Sequence, residues 1–178
     1  MENPDIKNLI RKKEGQSGAV SAVFVMIDEG ILYLKRADNY KIEGGMYSIP
    51  AGHLEDGENA IDAAIRETFE ESGLKINPTE LQFITDMNVN ARYTNGGEFS
   101  FHAFVFFADK RGVGLKDIKI CDEHSSAVAI SIDDMRVLLR ADSKGIINLR
   151  DTFTLSDISV IKGNLEKIAE LSNAKIKI

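Results

Sequence analysis

Cysteine, proline, tryptophan and basic charge are all scarce in this chain. One cysteine in 178 residues, Cys121, excludes an intrachain disulfide and leaves a thiolate zinc site without ligands. The three histidines, His53, His102 and His124, are scattered and show no zinc spacing. There are 22 Lys and Arg against 28 Asp and Glu, a net charge of −6. That balance argues against a protein that coats nucleic acid, because phosphate backbones are held by lysine and arginine. It is compatible with a small phosphorylated substrate if a metal ion stands between the negative partners. No apolar run reaches the ~20 residues of a membrane span. The start, MENPDIKNLIRKKEG, lacks the apolar core of a signal peptide. The expectation is a reduced, cytoplasmic setting, without membrane or nucleic-acid partners, as a monomer or homodimer.

What the chain does contain is enough apolar material for a core: 43% of its residues are hydrophobic. The length predicts one domain. Residues 1–17 read as a polar lead-in and 18–178 as the domain. GAVSAVFVMID and ILYLKRA are β-branched runs separated by Asp28-Glu29-Gly30, a hairpin signal. A short strand is predicted over Met46 to Ile49, ended by Pro50. Asn59 can cap a helix running to about Ser72, with Gly73 in the stop position. LQFITDMNVNA and FSFHAFVFFA read as strands joined by a turn at residues 94–97. The second is apolar on both faces and should be central in its sheet. AVAISI is a further strand and DDMRVLLRA a short helix. Ile158, Ile161, Leu165, Ile168 and Leu171 mark an amphipathic helix over 155–172. Together these give an α/β fold, a mixed sheet with helices on its faces.

The helix after Asn59 carries the chemistry. Helical residues advance by about 100°, so Ile61, Ile65, Thr68 and Ser72 share a stripe expected to face the core, with Ala64 and Phe69 flanking it. Glu67 and Glu71 lie above one another on a neighbouring stripe, with Glu70 one position round. Ala60 and Ala63 are expected to leave open space over this acidic face. Arg66 stands four residues before Glu70, at ion-pair spacing. Charged helix faces are usually just solvated, but that explains a cluster poorly. Like charges one turn apart cost roughly 0.2–0.5 kcal/mol per pair, and the carboxyl end of a helix disfavours anions. Both penalties reverse when a divalent cation binds, and carboxylate oxygens are the ligands that magnesium prefers.

Gly52, five residues, Glu58, seven residues and then Arg66-Glu67-Thr68-Phe69-Glu70-Glu71-Ser72-Gly73-Leu74 closely resembles the Nudix box, conventionally GX5EX7REUXEEXGU with U aliphatic. Every fixed charged or glycine position agrees, a coincidence on the order of one in a million from average residue usage. The strand and helix layout extends the resemblance over about residues 18–172. Thr68 departs from the pattern at an aliphatic position, Ala51 gives PAG for the commoner PGG, and Tyr47 replaces a frequent tryptophan.

The resemblance implies a Nudix-type α/β/α sandwich, single-domain, that hydrolyses a pyrophosphate linkage in a nucleoside diphosphate joined to another group. Carried over by position, Glu67 and Glu71 would be the principal metal ligands and the Ala51 carbonyl another. Glu70 would be a further ligand or stand just beyond the ligands. The cofactor would be magnesium, with manganese as a substitute. Arg66 would orient the glutamates, and Glu58 would brace the loop. In the family a box glutamate, Glu70 or Glu71 here, or one from a later loop takes the proton from the attacking water; Glu123 occupies such a later place, and Glu98 is a weaker alternative. Tyr47, Phe99 and Phe101 can stack on a base or simply fill the core. His53, Lys35 and Arg36 can meet phosphate or only solvent. Cys121 reads as packing.

The leading substrate is a nucleoside triphosphate, because PAGHLEDGE resembles members acting on triphosphates, oxidised ones included. ADP-ribose and dinucleoside polyphosphates are the alternatives; Tyr93 comes slightly late for the tyrosine of the dinucleoside branch. Isopentenyl-diphosphate isomerase would need cysteine and histidine in places that one cysteine and dispersed histidines supply poorly. A non-catalytic nucleotide-binding module would be expected to have lost box glutamates. An mRNA decapping enzyme would carry a more basic extension.

Overall fold

The computed structural model describes residues 18–174, with side chains as far as residue 173. The lead-in of residues 1–17 lies outside the described residues. β1 (Val20–Ile27) and β2 (Gly30–Arg36) form the hairpin marked by Asp28-Glu29, with Ile27 opposite Gly30. The two strands part beyond Met26 and Ile31. Into the fork come two short strands: β3 (Tyr47–Ser48) pairs with β2, and β4 (Ala51–His53) pairs with β1. The sequence pointed to one strand over Met46–Ile49, so β4 is an addition and β3 is shorter. Proline explains the break. Pro50 has no N–H for a ladder, and its carbonyl accepts from Val23 N at 3.0 Å as the chain crosses from one strand's edge to the other's.

β5 (Leu81–Arg92) and β6 (Glu98–Asp109) make a long hairpin. β6 also runs parallel to β1, Val20 opposite Ala103 through Met26 opposite Asp109. It therefore lies inside the sheet, as its two apolar faces required. The main path is β3-β2-β1-β6-β5, and β7 (His124–Ile130) pairs with β2. The seven-stranded mixed sheet is covered on both faces. α1 (Ala60–Ser72) packs over Val23, Val25, Phe104 and Phe106. α3 (Leu155–Ala174), with Ile158, Ile161, Leu165 and Ile168 buried, covers Phe101, Val105 and Phe107, and α2 (Ile132–Ser143) packs beside it. This is the expected α/β/α sandwich. Among the described residues no helix is long and apolar enough to cross a membrane.

The ends of α1 match the sequence signals. The Asn59 side chain accepts from the backbone N–H of Ile61 and Asp62, and Gly73 closes the helix at φ 72°, its N–H donating to Phe69 O. The faces are arranged differently from expectation. Ala60 and Ala63 are fully buried, while Phe69 is 48% exposed under the Lys75 ammonium. Small side chains on this face let the helix backbone settle onto the sheet, where Ser21 Oγ donates to Ala60 O at 2.6 Å. The acidic stripe is consequently not beneath open space; it is pressed toward β4. Thr68 is fully buried and its hydroxyl donates to Ala64 O, so the departure from an aliphatic residue leaves no unpaired group.

Candidate active site

Arg66 organises the acids around it. Its Nε donates to Glu58 Oε1 and its Nη2 to Glu58 Oε2, both at 2.9 Å. Nη2 also reaches His53 O at 2.9 Å, while Nη1 bonds Glu67 Oε1 at 2.7 Å and Glu70 Oε2 at 3.1 Å. Glu58 Oε2 in turn accepts from Glu55 N, closing the loop that precedes the helix. One guanidinium thus joins the loop, β4 and two helix glutamates. The Arg66 bond holds the Glu58 carboxyl below its ordinary range.

Glu67 and Glu71 both reach β4. The Glu67 carboxylate occupies the space where a side chain on Gly52 would begin, so that any Cβ there would overlap it. Glycine at 52 is required by this close approach. Glu71, only 9% exposed, accepts from Ala51 N through Oε2 at 3.0 Å. Burial pushes its carboxyl up to about 8; the Ala51 N–H and Arg36 oppose the rise, and the charges of Glu67 and Glu123 add to it. Glu67 is raised by burial and partly restrained by Arg66. Among the described residues no three Asp, Glu, His or Cys side chains already stand together as a metal cage. Glu67 and Glu70 are turned to Arg66, and Glu71 to Ala51. The donors nevertheless suit a hard divalent cation: carboxylate oxygens beside a strand edge, two of them with pKa values lifted by burial. A nearby cation is what returns such groups to their charged form.

β7 supplies the other side. A bulge between Lys35 and Arg36 lets Arg36 pair with His124, and such irregularities re-aim side chains. His124 is buried with Nε2 4.0 Å from Glu71 Oε1 and Nδ1 3.5 Å from Cys121 Sγ. Burial, then Arg36, pushes it down to about 4, so it is neutral. The Cys121 thiol is pushed up by burial and is no activated nucleophile. Glu123 is brought close to Glu71 and against Tyr40, whose phenol rises to about 12 through burial and the Glu123 carboxylate. Glu98 begins β6 at the far end of the β5–β6 hairpin, opposite Arg92.

At the fork of the sheet a cleft with a volume of about 90 Å³ opens between β4 and the start of α3. Its floor includes Val20, Ala22, Phe99 and Phe101; its polar wall includes Arg36, Glu43, His53 and Asp157. Phe99 stacks on Tyr93 at 4.6 Å. Tyr47 lies against Phe153 and does not line the cleft. Arg36 Nη1 donates to Ile42 O at 2.8 Å, its Nε to Ser48 Oγ at 3.3 Å, and its guanidinium covers the Tyr40 ring. Glu43 and Asp157 were absent from the sequence-derived site. Asp157 has a faint signal, three residues after Thr154 at a helix start. Glu43 has none beyond the Gly44-Gly45 turn that follows it.

A model of the NUDIX domain matches residues 16–149, and the chain belongs to the Nudix hydrolase family, whose members act on pyrophosphate bonds. It is 30% identical over 120 residues, 67% of this chain and 33% of the relative, to 8-oxo-dGDP phosphatase NUDT18 from Homo sapiens. It is 31% identical over 65 residues, 36% of this chain and 22% of the relative, to m7GpppN-mRNA hydrolase NUDT17 from Bos taurus. The chain thus spans about a third or less of the length of these relatives. Among solved structures, a bifunctional NMN adenylyltransferase/ADP ribose pyrophosphatase from Francisella tularensis, complexed with AMP and a manganese ion, superposes with a TM-score of 0.61 at 19% identity, over 92% of this chain and 46% of that one. That likeness is one of fold.

Proposed function

We propose that this chain hydrolyses a nucleoside triphosphate to the monophosphate and pyrophosphate, with a divalent cation, magnesium or manganese, as cofactor. The observation that carries this reading is the convergence of Glu67 and Glu71 on Gly52 and Ala51, at the rim of a cleft with an aromatic floor. The phosphates would lie along β4 and the base in the cleft. Glu67, Glu71 and the Ala51 carbonyl would hold the cation, with Glu70 as a further or neighbouring oxygen donor. When bound, the cation neutralises phosphate charge and makes a water more acidic.

The chain's own groups do the rest. Arg66 holds Glu67 and Glu70 in place and ties them to the loop through Glu58 and His53 O. Glu71, a carboxylate when a cation is near, would be placed to accept the proton of the attacking water; Glu123 is the second acid within electrostatic reach of the same place. Neutral His124 backs Glu71 without adding charge. Arg36, at the cleft wall, offers positive charge to the substrate.

The relative that acts on 8-oxo-dGDP supports a nucleotide with a short phosphate chain. ADP-ribose and dinucleoside polyphosphates remain the comparison substrates. Incubation with magnesium and nucleoside triphosphates, nucleoside diphosphates, ADP-ribose and dinucleoside polyphosphates, followed by phosphorus NMR, tests the reading. Monophosphate plus pyrophosphate from a triphosphate is expected. Exclusive formation of two monophosphates from ADP-ribose overturns it.

A further inference from the structure

β3 and β4 are too short to hold themselves. They have two and three residues, and even longer isolated strand pairs are marginal in water. Support comes from the start of α3. Residues 152–154 run beside β3: Tyr47 N donates to Thr152 O at 2.8 Å, Thr154 N donates to Tyr47 O at 3.1 Å, and Phe153 bridges Tyr47 in parallel. Asp157 reaches further along the same segment. Its Oδ2 accepts from Ile49 N at 3.1 Å, across 108 positions of chain. Pro50 O then accepts from Val23 N, and Ala51 N donates to Glu71 Oε2. One line of contacts therefore runs from α3, through Ile49 and Pro50, to the acidic stripe of α1.

Neither capping nor packing requires a carboxyl at position 157. Thr154 Oγ1 caps α3 by accepting from Asp157 N at 3.4 Å. A buried carboxyl, 7% exposed here, costs stability where an apolar side chain would not. Thr154 Oγ1 also donates to Asp157 Oδ2 at 2.8 Å, which steers that oxygen toward Ile49. Glu43 fixes the same helix end from another direction, its Oε1 accepting from Leu155 N at 2.8 Å. It does so at φ 49°, in the left-handed region, with its second oxygen buried and unpaired. Such strained residues persist where the surrounding structure over-determines them, and they cluster at active sites. Here the strained residue pins the turn that carries Asp157.

The link from Ile49 to Ala51 is stiff. Proline has a fixed φ, and the residue before it is confined to extended backbone. A displacement at Ile49 N is therefore passed on to Ala51. From this line of contacts we infer that Asp157 is a positioning residue of the cation site: acting through Ile49, it sets where Ala51 presents its carbonyl to the cation and its N–H to Glu71. The inference rests on the cation reading above and extends that site to a side chain on the opposite face of the sheet.

The test is manganese binding by the full chain, followed by electron paramagnetic resonance, together with the amide resonance of Ala51 in nitrogen-labelled protein. Asp157→Leu fills the same place without an acceptor. It is expected to weaken manganese binding by about tenfold, the lower end for losing an outer partner of a metal ligand. The Ala51 amide resonance should shift, while those of Ile61 and Gly73 at the ends of α1 stay in place. Asp157→Asn keeps an oxygen acceptor for Ile49 N and is expected to restore both readouts. Thr154→Val removes only the hydroxyl that steers the Asp157 oxygen, and should give the same changes at smaller size; it decides the matter if Asp157→Leu does not fold. Unchanged manganese affinity or an unmoved Ala51 resonance in the deciding variant overturns the inference. Losses in Asp157→Asn as large as in Asp157→Leu overturn it too, since they would show that the acceptor is not what matters. Failure of the unaltered protein to bind manganese would remove the cation reading and this inference with it. Binding that Asp157→Leu leaves untouched would remove this inference alone.

Discussion

Two groups of acids flank β4, and they are stabilised in different ways. On the α1 side, Glu58, Glu67 and Glu70 share one arginine, and Glu71 takes a backbone N–H. On the α3 side, Glu43 accepts from Leu155 N at the start of the helix, and Asp157 accepts from Ile49 N, just beyond β3, and from Thr154 Oγ1. The first group concentrates negative charge where a cation can balance it. In the second, burial pushes the Asp157 carboxyl up to about 7 and raises that of Glu43. The same residue types are thus held by one shared guanidinium on one side of β4 and by backbone N–H and hydroxyl groups on the other. Arg36 and β4 lie between them.

The largest test of this contrast is Glu71→Gln. Turnover should fall by about 10²–10⁴-fold, the range for losing a proton acceptor, while the melting temperature at pH 8 stays the same or rises, because a buried acid has been removed. Steady-state rates beside thermal melts decide it; unimpaired turnover would remove Glu71 from the chemistry.

Next comes Gly52→Ala. The new methyl group displaces the Glu67 carboxylate and not the backbone, so the fold should survive. Manganese affinity, followed by electron paramagnetic resonance, should drop by about 10–100-fold, as for other changes that misplace a ligand. An unchanged affinity would mean that Glu67 does not need its place against β4.

Asp157→Asn examines the opposite side of β4. With its pKa near 7 in the folded chain against an ordinary 3.8, the folded state keeps a proton that the unfolded chain has released. Stability therefore falls as pH rises from about 4 through 7, and the loss is complete above that. The asparagine variant should melt higher at pH 8, by roughly 3–10 °C for about 1–3 kcal/mol, and the gain should vanish near pH 4. A gain independent of pH would show that Asp157 is charged throughout.

The smallest effect is expected at the entry to α1. Asn59→Ala removes the side chain that accepts from Ile61 N and Asp62 N and should cost about 1 kcal/mol, roughly 2–4 °C in melting temperature. No shift in a thermal melt would mean that packing alone holds that end.

Elements with a strong local signal were legible in the sequence. The Asp28-Glu29 turn, the cap at Asn59, the stop at Gly73 and the two-faced β6 are each encoded within a few residues. The box motif named the acids that converge on β4. Failures arose where a residue's surroundings come from distant segments. Ala60 and Ala63 looked like space and are contact surface, because β1 and β4 approach from elsewhere in the chain. β4 itself is three residues beyond a proline, too short for any periodicity to mark. Glu43 and Asp157 are 114 positions apart in number and meet only because β3 and α3 start at the same end of the sheet.

The amino-acid sequence by itself determined the family, the helix that carries the acids and the residue types offered to a metal, since each depends on spacing along one segment. Tertiary structure alone decided which acids are desolvated and which are paired, and therefore which remain charged. Desolvation depends on atoms brought in from β4, β7 and α3, and linear spacing holds no record of them.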